Sequence, residues 1–440
     1  MTKDELKARV CAAIDKRSQD IIDLGNYLFK NPELGYKERK AAAAVEEKFR
    51  GLGLKFRSGL AITGLKARMP GRKSDITVGV LGELDAVVCH DHPHADKDTG
   101  AAHSCGHNAQ IAMMVGVAMG LTDAEAMQHL DGDVVIMAVP AEEYVELDFR
   151  QRLRRDGKIK FLGGKQELLH LGEFDDINMA MMCHSESETP ARVVRVPGAG
   201  IGSNGFIGKT VQYIGKEAHA GGMPDQGVNA LNAAMLGLMG IHANRETFKD
   251  QDSIRVHPII TKGGDLVNIV PADVRMETYV RGKNIEAIMD ASAKVNRALS
   301  AGAVAIGAEV VIDEIPGYLP LLNDQNMACL FQNNALELLG SEGVEVANFM
   351  SGSTDMGDIT HIMPGLHPSV GGIVGRAHAR DYEMVDPDMA YVVPAKIMAM
   401  TVIDLLWDGA TQGSRVLSEF KPTMTKESYF AMWEKLLNDN

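Results

Sequence analysis

Apolar positions recur every three to four residues from Asp4 to Phe29, the spacing of an amphipathic helix. Asn31-Pro32, inside NPELGYKE (31–38), breaks that pattern before AAAAVEEKFRGLG begins a second helix that stops at glycine. The texture then changes. ITVGVLGEL (76–84) and VVIMAV (134–139) are apolar, β-branched runs of strand length, and NAQIAMMVGVAMGL (108–121) between them predicts a buried helix. Strand, helix and strand in that order predict a parallel sheet with right-handed crossovers. NMAMMCH (178–184) predicts a further buried strand that ends on His184.

From about Gly198 to Ile315 the pattern is mixed: strand-like TVQYIG, a helix over 229–246, strand-like RVHPII and DVRMETYV, and a long helix from about Asn284 to Ala308. These predict a compact α+β module inserted into a larger domain. DQNMACLFQNNALELLG is again helical, and DPDMAYVVPAKIMAMTVIDLL opens with Asp386 as cap and Pro387 in the first helical position. The expected organisation is an α/β domain with a mixed or mostly parallel sheet flanked by helices over 1–197 and 316–440, and an inserted domain over 198–315. A length of 440 residues exceeds what one hydrophobic core usually serves, which supports two domains.

Composition narrows the class. With 45% hydrophobic and 24% charged residues, the balance is that of an ordinary globular chain, without low-complexity segments. A formal net charge of -14 argues against a nucleic-acid partner, and RQRLRR (150–155) is too short to reverse that, so it is expected to be a solvated face. The first residues lack the apolar core of a secretory signal, and no run of eighteen apolar residues suggests a membrane span, so a cytoplasmic protein without a membrane partner is expected. Five widely scattered cysteines make a disulfide framework improbable.

In parallel sheets, sites form outside the carboxyl ends of strands. Glu83 and Asp85, the pair Glu142-Glu143, and His184 all fall at such ends, and HSCGHN (103–108) places Cys105 and His107 around a single glycine. Thiolate, imidazole and carboxylate from neighbouring loops form a transition-metal set, with carboxylate and imidazole suiting Mn²⁺ or Zn²⁺ and the thiolate tilting toward Zn²⁺. Each residue also has a plainer reading: Cys105 as a small buried hydrophobe, Glu142-Glu143 as a solvated pair, and His184 as a hydrogen-bonded structural group.

The chain as a whole resembles the M20 metallopeptidase and amidohydrolase family, in the branch of hippurate, auxin-conjugate and aminobenzoyl-glutamate hydrolases. The resemblance runs in order through NPELGYKE, HSCGHN, PAEE (140–143), GKEAHAGGMPDQGVNAL and GGDLVNIVPADVRMETYVRG. It implies a zinc-peptidase-like catalytic domain with an inserted lid or dimerisation domain. It further implies two divalent ions per subunit, Zn or Mn with Co or Ni as alternatives, held by Cys105, His107, Glu143, His184 and His378, with Cys105 bridging. Glu142 corresponds to the general base and Asp85 to the acidic residue that orients a ligand from behind. His219 matches a position that stabilises the oxyanion in a neighbouring subunit, and Asn268 and Arg281 match positions that hold the substrate's oxygens. The implied reaction is hydrolysis of an N-acyl or N-aroyl amino acid, or a short peptide, by a water activated between the ions, in a homodimer formed through the inserted domain.

The sequence departs from that pattern at several points. Asn108 and Gln110 stand where relatives have Asp and His, which puts the orientation of His107 in question. His90, His92 and His94 alternate in a polar loop expected to be solvated, with metal binding as the alternative. Asp355 in SGSTDMGDITHIMPG occupies the place of an acidic motif expected near the metals, and Val145–Lys165 is longer and more charged than usual and is expected to shape the pocket. Two other readings accompany the amidohydrolase: hydrolytic deamination at the same dimetal site, and a non-catalytic metal-binding partner subunit.

Overall fold

A computed structural model describes residues 1–186 and 192–438. The chain divides into two compact units. The first comprises Met1–Gly202, Leu322–Phe349 and Asp358–Thr423, and the second comprises Ser203–Leu321, Met350–Gly357 and the segment from Met424.

The first unit is built on a six-stranded mixed sheet. Its strands are β1 (Phe56–Leu60), β2 (Gly64–Met69), β3 (Thr77–Glu83), β4 (Asp133–Val139), β5 (Met179–Met181) and a short strand Gly365–Leu366. They lie in the order β1-β2-β4-β3-β5-(365–366). β3 runs parallel to β4 and β5, whereas β1 and β2 form an antiparallel edge. Register carries Thr77 opposite Asp133 and Glu83 opposite Val139, so β3 and β4 end level and the residues after them meet at one rim.

The predicted helix over Asp4–Phe29 is two helices, α1 (Lys3–Lys16) and α2 (Ser18–Lys30). They part at Arg17, whose guanidinium is held by Asp20 at 3.0 Å and Asp123 at 2.7 Å. α3 (Arg39–Gly51) packs near β2, and α4 (His107–Asp123) is buried without interruption from His107 to Leu121. α4 lies between β3 on one side and α1, α2 and the helix Val393–Leu406 on the other, which is why its sequence is apolar on every face. Asp386 does cap the late helix, its Oδ1 accepting from the Met389 amide at 3.0 Å. The stretch Asp388–Leu406 is long and apolar enough to cross a membrane, contrary to expectation, but it is 94% buried inside the fold and reads as a core helix.

Two further expectations change. The strand predicted over 178–184 stops at Met181, and His184–Ser185 pairs instead with Ser369–Val370 in a second small sheet. RQRLRR lies on α5 (Leu147–Arg155), where Arg152 and Arg155 are solvated but Arg150 is fully buried, because the helix turns that position inward. α6 (Gly164–His170) follows and buries Lys165.

The second unit has an antiparallel sheet of β6 (Gly205–Ile214), β7 (Arg255–Lys262), β8 (Asp273–Gly282) and β9 (Glu309–Pro316), in the order β7-β8-β6-β9. α7 (Ala230–Asn244) and α8 (Ile285–Ile306) pack side by side, sharing an apolar core with the sheet. Asn284 caps α8 by accepting from the Ala287 amide at 2.8 Å. The helix Lys426–Asn438 packs against β9, so the C-terminal segment belongs with this unit and not with the outer domain in which the sequence reading placed it.

In the first unit, Asp404 on the late helix takes the buried Lys7 ammonium at 2.6 Å and Lys3 at 2.7 Å, while Asn334 bonds both Lys7 and Asp404. Asp404→Ala leaves the Lys7 ammonium buried without its counter-ion, and urea denaturation is expected to show a loss of about 3 kcal/mol.

Candidate metal centre

The level ends of β3 and β4 are joined by one carboxylate. Asp85, fully buried two residues past β3, accepts the Glu142 amide on Oδ1 at 3.1 Å and the Glu143 amide on Oδ2 at 2.8 Å. Its backbone carbonyl accepts from His107 Nδ1 at 2.9 Å. Asp85 therefore orients His107 and, at the same time, pins the turn that carries both glutamates. A proton on Nδ1 leaves Nε2 as the ligating nitrogen.

HSCGHN wraps the N-terminus of α4. Gly106 adopts φ +90°, and a Cβ there would strike the Ser185 and Tyr382 side chains, so only glycine lets Cys105 and His107 converge. His184, with Nδ1 held by the Ser185 carbonyl at 2.6 Å, directs Nε2 to within 3.6 Å of Cys105 Sγ. His378 arrives on a loop tied to the same segment, its amide donating to the Ser104 carbonyl at 2.8 Å, and its Nε2 lies 3.2 Å from Glu143 Oε1.

These side chains form two sets able to hold a cation: Cys105, His107 and His184, and Cys105, Glu143 and His378, with the ligand atoms of each set within 4.8 Å of one another. Cys105 belongs to both. The residues fit a metal: among the described residues, buried His107 Nε2 and Glu143 Oε1 make no well-aligned hydrogen bond and face only other ionisable groups, Glu83 at 3.0 Å and His378 at 3.2 Å, and a thiol, three imidazoles and a carboxylate suit borderline divalent ions. Glu83, His107 and Glu142 form a third set. There Glu83 is already neutralised by the buried Lys165 ammonium and accepts a hydrogen bond from Gln110 Nε2 at 2.8 Å.

The groups also polarise one another. Burial and the Glu143 carboxylate push the Cys105 thiol up, but His107 and His184 outweigh them and bring it down to about 6, which favours the ligating thiolate. Burial opposes charge on His107, yet Glu83 and Cys105 hold it well above the ordinary imidazole range. Glu143 raises His378 to about 11. Among the described residues, buried His103 has no hydrogen-bond partner on either ring nitrogen and buried His367 none on Nε2, and burial pushes each down to about 3.

The departures in the motif are absorbed by the scaffold. Asn108 turns away, donating to the Gly25 carbonyl and the Tyr391 hydroxyl, each at 3.2 Å. Gln110 bonds Glu83 through both its amide and, at 3.2 Å, the Glu83 backbone. Neither disturbs His107. His90 and His94 are exposed as expected, but His92 is buried and bonded to the Tyr382 carbonyl at 2.9 Å, a structural role that the polarity of its neighbours hid.

The remaining candidates lie in the second unit. His219 is exposed and bridged to Ile269 as in a ladder, with the Ala220 amide donating to the Asn268 carbonyl at 2.9 Å, so His219 and exposed Asn268 sit on paired segments. His219 Nδ1 accepts from the Gly222 amide at 2.9 Å, which leaves the proton on Nε2 as an outward donor. Arg281 stacks over Phe206 and Tyr279 and donates to Ser353 at 2.8 Å. Asp355 falls in this unit as well. Glu38 carries no role in the sequence beyond closing NPELGYKE, and Arg150 and Lys165, expected on a solvated face and in a pocket-shaping segment, are instead buried.

Residues 79–404 match the sequence model of Peptidase family M20/M25/M40. Xaa-Arg dipeptidase of Mus musculus is 29% identical over 451 residues, covering 96% of the chain and 94% of that protein. IAA-amino acid hydrolase ILR1-like 4 of Arabidopsis thaliana is 23% identical, covering 84% and 80%. Among solved structures, a dinuclear metal-binding peptidase of the M20 family from Bacillus subtilis matches with a TM-score of 0.67 at 19% identity, covering 89% of this chain and 99% of that one. An aminobenzoyl-glutamate utilization protein from Klebsiella pneumoniae matches at 0.65 and 16%, covering 89% and 97%. The two structural likenesses speak for the fold. The family match takes in every metal-ligand candidate together with the whole second sheet, and on that ground the chain belongs to peptidase family M20/M25/M40 and is a hydrolase of C–N amide bonds.

Proposed function

We propose that the chain is a two-metal amidohydrolase that releases an amino acid from an N-acyl or N-aroyl conjugate or from a dipeptide. The observation that carries this reading is the membership of Cys105 in two separate ligand sets, which suits a thiolate shared between two ions. His107 and His184 would complete one site, and Glu143 and His378 the other. Zinc or manganese is proposed, with cobalt or nickel as alternatives. Two such ions, when bound, polarise an amide carbonyl and acidify water.

Glu142 is assigned to proton transfer. It belongs to neither of the sets that share Cys105, and its Oε2 lies 3.8 Å from His107 Nε2, beside the centre but outside those sets. There it can take a proton from the attacking water and return it to the leaving amine. Lys165 at Glu83 supplies positive charge to the third set, which disfavours a cation there and keeps Glu142 for this task. Asp85 holds Glu142 and His107 in place. His219, as an Nε2–H donor, is proposed to stabilise the oxyanion, and Asn268 and Arg281 to hold the substrate's oxygens.

The names of the mouse and Arabidopsis relatives point to a free amino-acid product, either from a dipeptide ending in arginine or from an acylated amino acid. A homodimer through the second unit is proposed from the exposed apolar side chains on α7 (Met235, Met239) and on the edge strand β7 (Ile259, Ile260). Of the departures that motivate deamination as a second reading, Asn108, Gln110 and His92 make structural hydrogen bonds, whereas His90 and His94 are exposed, and the product of the reaction separates the two readings.

Incubating the Zn²⁺- or Mn²⁺-loaded protein with N-acyl, N-aroyl and Xaa-Arg substrates, with products read by mass spectrometry, is expected to show amino-acid release; ammonia as the product would instead favour deamination. Glu142→Gln is expected to retain both metals and lose about 10²- to 10⁴-fold in kcat; wild-type turnover in that variant rejects the assigned base.

Cys105→Ala is expected to lose at least one metal by elemental analysis. His107 and His378 are held protonated above their ordinary range, so a metal must displace their protons, and measured metal affinity is expected to rise as pH increases from about 6 to 8.

A further inference from the structure

PAEE bends through a backbone that does not hold itself. Ala141 adopts φ +54°, a left-handed conformation that costs a non-glycine residue about 1 kcal/mol, and the residues that follow it are Glu142 and Glu143. Both polar groups of Ala141 are secured from outside. Its amide donates to buried Glu38 Oε1 at 2.8 Å, and its carbonyl accepts from Arg150 Nη1 at 3.1 Å and from the Gly164 amide at 3.2 Å.

Arg150 does more than meet Ala141. It is fully buried, and its guanidinium also donates to the Leu162 carbonyl at 2.8 Å and, through Nη2, to the Glu143 carbonyl. One side chain thus grips the carbonyls on either side of Glu142. The NPELGYKE segment closes around it: the Tyr36 ring lies 5.4 Å from the guanidinium carbon, and a Cβ at Gly35 would run into Nη2 and come within 2.9 Å of Ala141 Cα. Burying a guanidinium is costly unless its donors are satisfied. Here Nη1 and Nη2 are spent on the Ala141, Glu143 and Leu162 carbonyls, two of which belong to the turn that carries the glutamates.

We infer that Arg150 is a positioning residue for the Glu142-Glu143 turn, and that NPELGYKE serves to seat it. The inference rests on the roles proposed above for Glu142 and Glu143. A planar fork meets several carbonyls at fixed angles, which a lysine ammonium cannot reproduce. A displacement of Glu142 by a fraction of an ångström is expected to slow the chemical step more than substrate binding.

The test uses the full-length, metal-loaded enzyme. Arg150→Lys and, independently, Gly35→Ala are each expected to lower kcat by about tenfold or more while KM stays within about twofold. In Arg150→Ala, low, non-denaturing guanidinium is expected to restore part of the lost kcat, which a purely structural strut does not predict. Wild-type kcat in both Arg150→Lys and Gly35→Ala, with only thermal stability lowered, overturns the inference. Glu142→Gln assayed alongside separates the two levels: activity in that variant rejects the assignment of the base, whereas its inactivity together with normal kcat in the Arg150 and Gly35 variants rejects only the role of Arg150.

Discussion

A buried carboxylate that spends both oxygens on neighbouring backbone amides holds this centre together. Asp85 takes the amides of Glu142 and Glu143, and its own carbonyl takes His107. Charge-assisted hydrogen bonds of this kind are about twice as strong as neutral ones. They also have a direction, so three candidate functional side chains from one strand end and one helix start are referred to a single residue at the end of a second strand. The register of β3 on β4 makes this feasible, because it brings the two strand ends level before either loop begins.

Around that residue the fold buries several charged side chains and gives them partners. Glu83 meets Lys165, Glu143 meets His378, and Arg150 meets backbone carbonyls. An interior with several carboxylates needs such compensation, since an unpaired buried charge costs several kcal/mol. The pairings also sort the carboxylates by task. Lys165 and Gln110 occupy Glu83, which leaves Glu143 for the set that contains Cys105 and His378.

The motif substitutions show how a site tolerates change without losing its centre. Asn108, one residue beyond His107 on the helix, turns away to Gly25 and Tyr391, while Gln110, three residues on and on the same face, bonds the Glu83 carboxylate that His107 Nε2 also faces at 3.0 Å. His107 keeps its orientation because it takes it from Asp85, not from its neighbours in sequence.

Much of the fold was legible in the sequence, and for local reasons. Runs such as ITVGVLGEL and VVIMAV have the length and apolarity of buried strands, the apolar faces of α4 mark a core helix, and the cap at Asp386 acts within three residues of itself. Gly106 between Cys105 and His107 likewise announced a convergence that its φ of +90° carries out. What the sequence left open depends on partners far along the chain. The early end of β5 follows from the pull of His184 into a second sheet with Ser369–Val370, the attachment of the C-terminal helix from its packing on β9, and the burial of His92 from the Tyr382 carbonyl. Arg150 and Lys165 look like solvent charges in any local window. Only the tertiary structure surrounds them with carbonyls and a carboxylate, because the cost of burying a cation is set by what lies across from it and not by its neighbours in sequence.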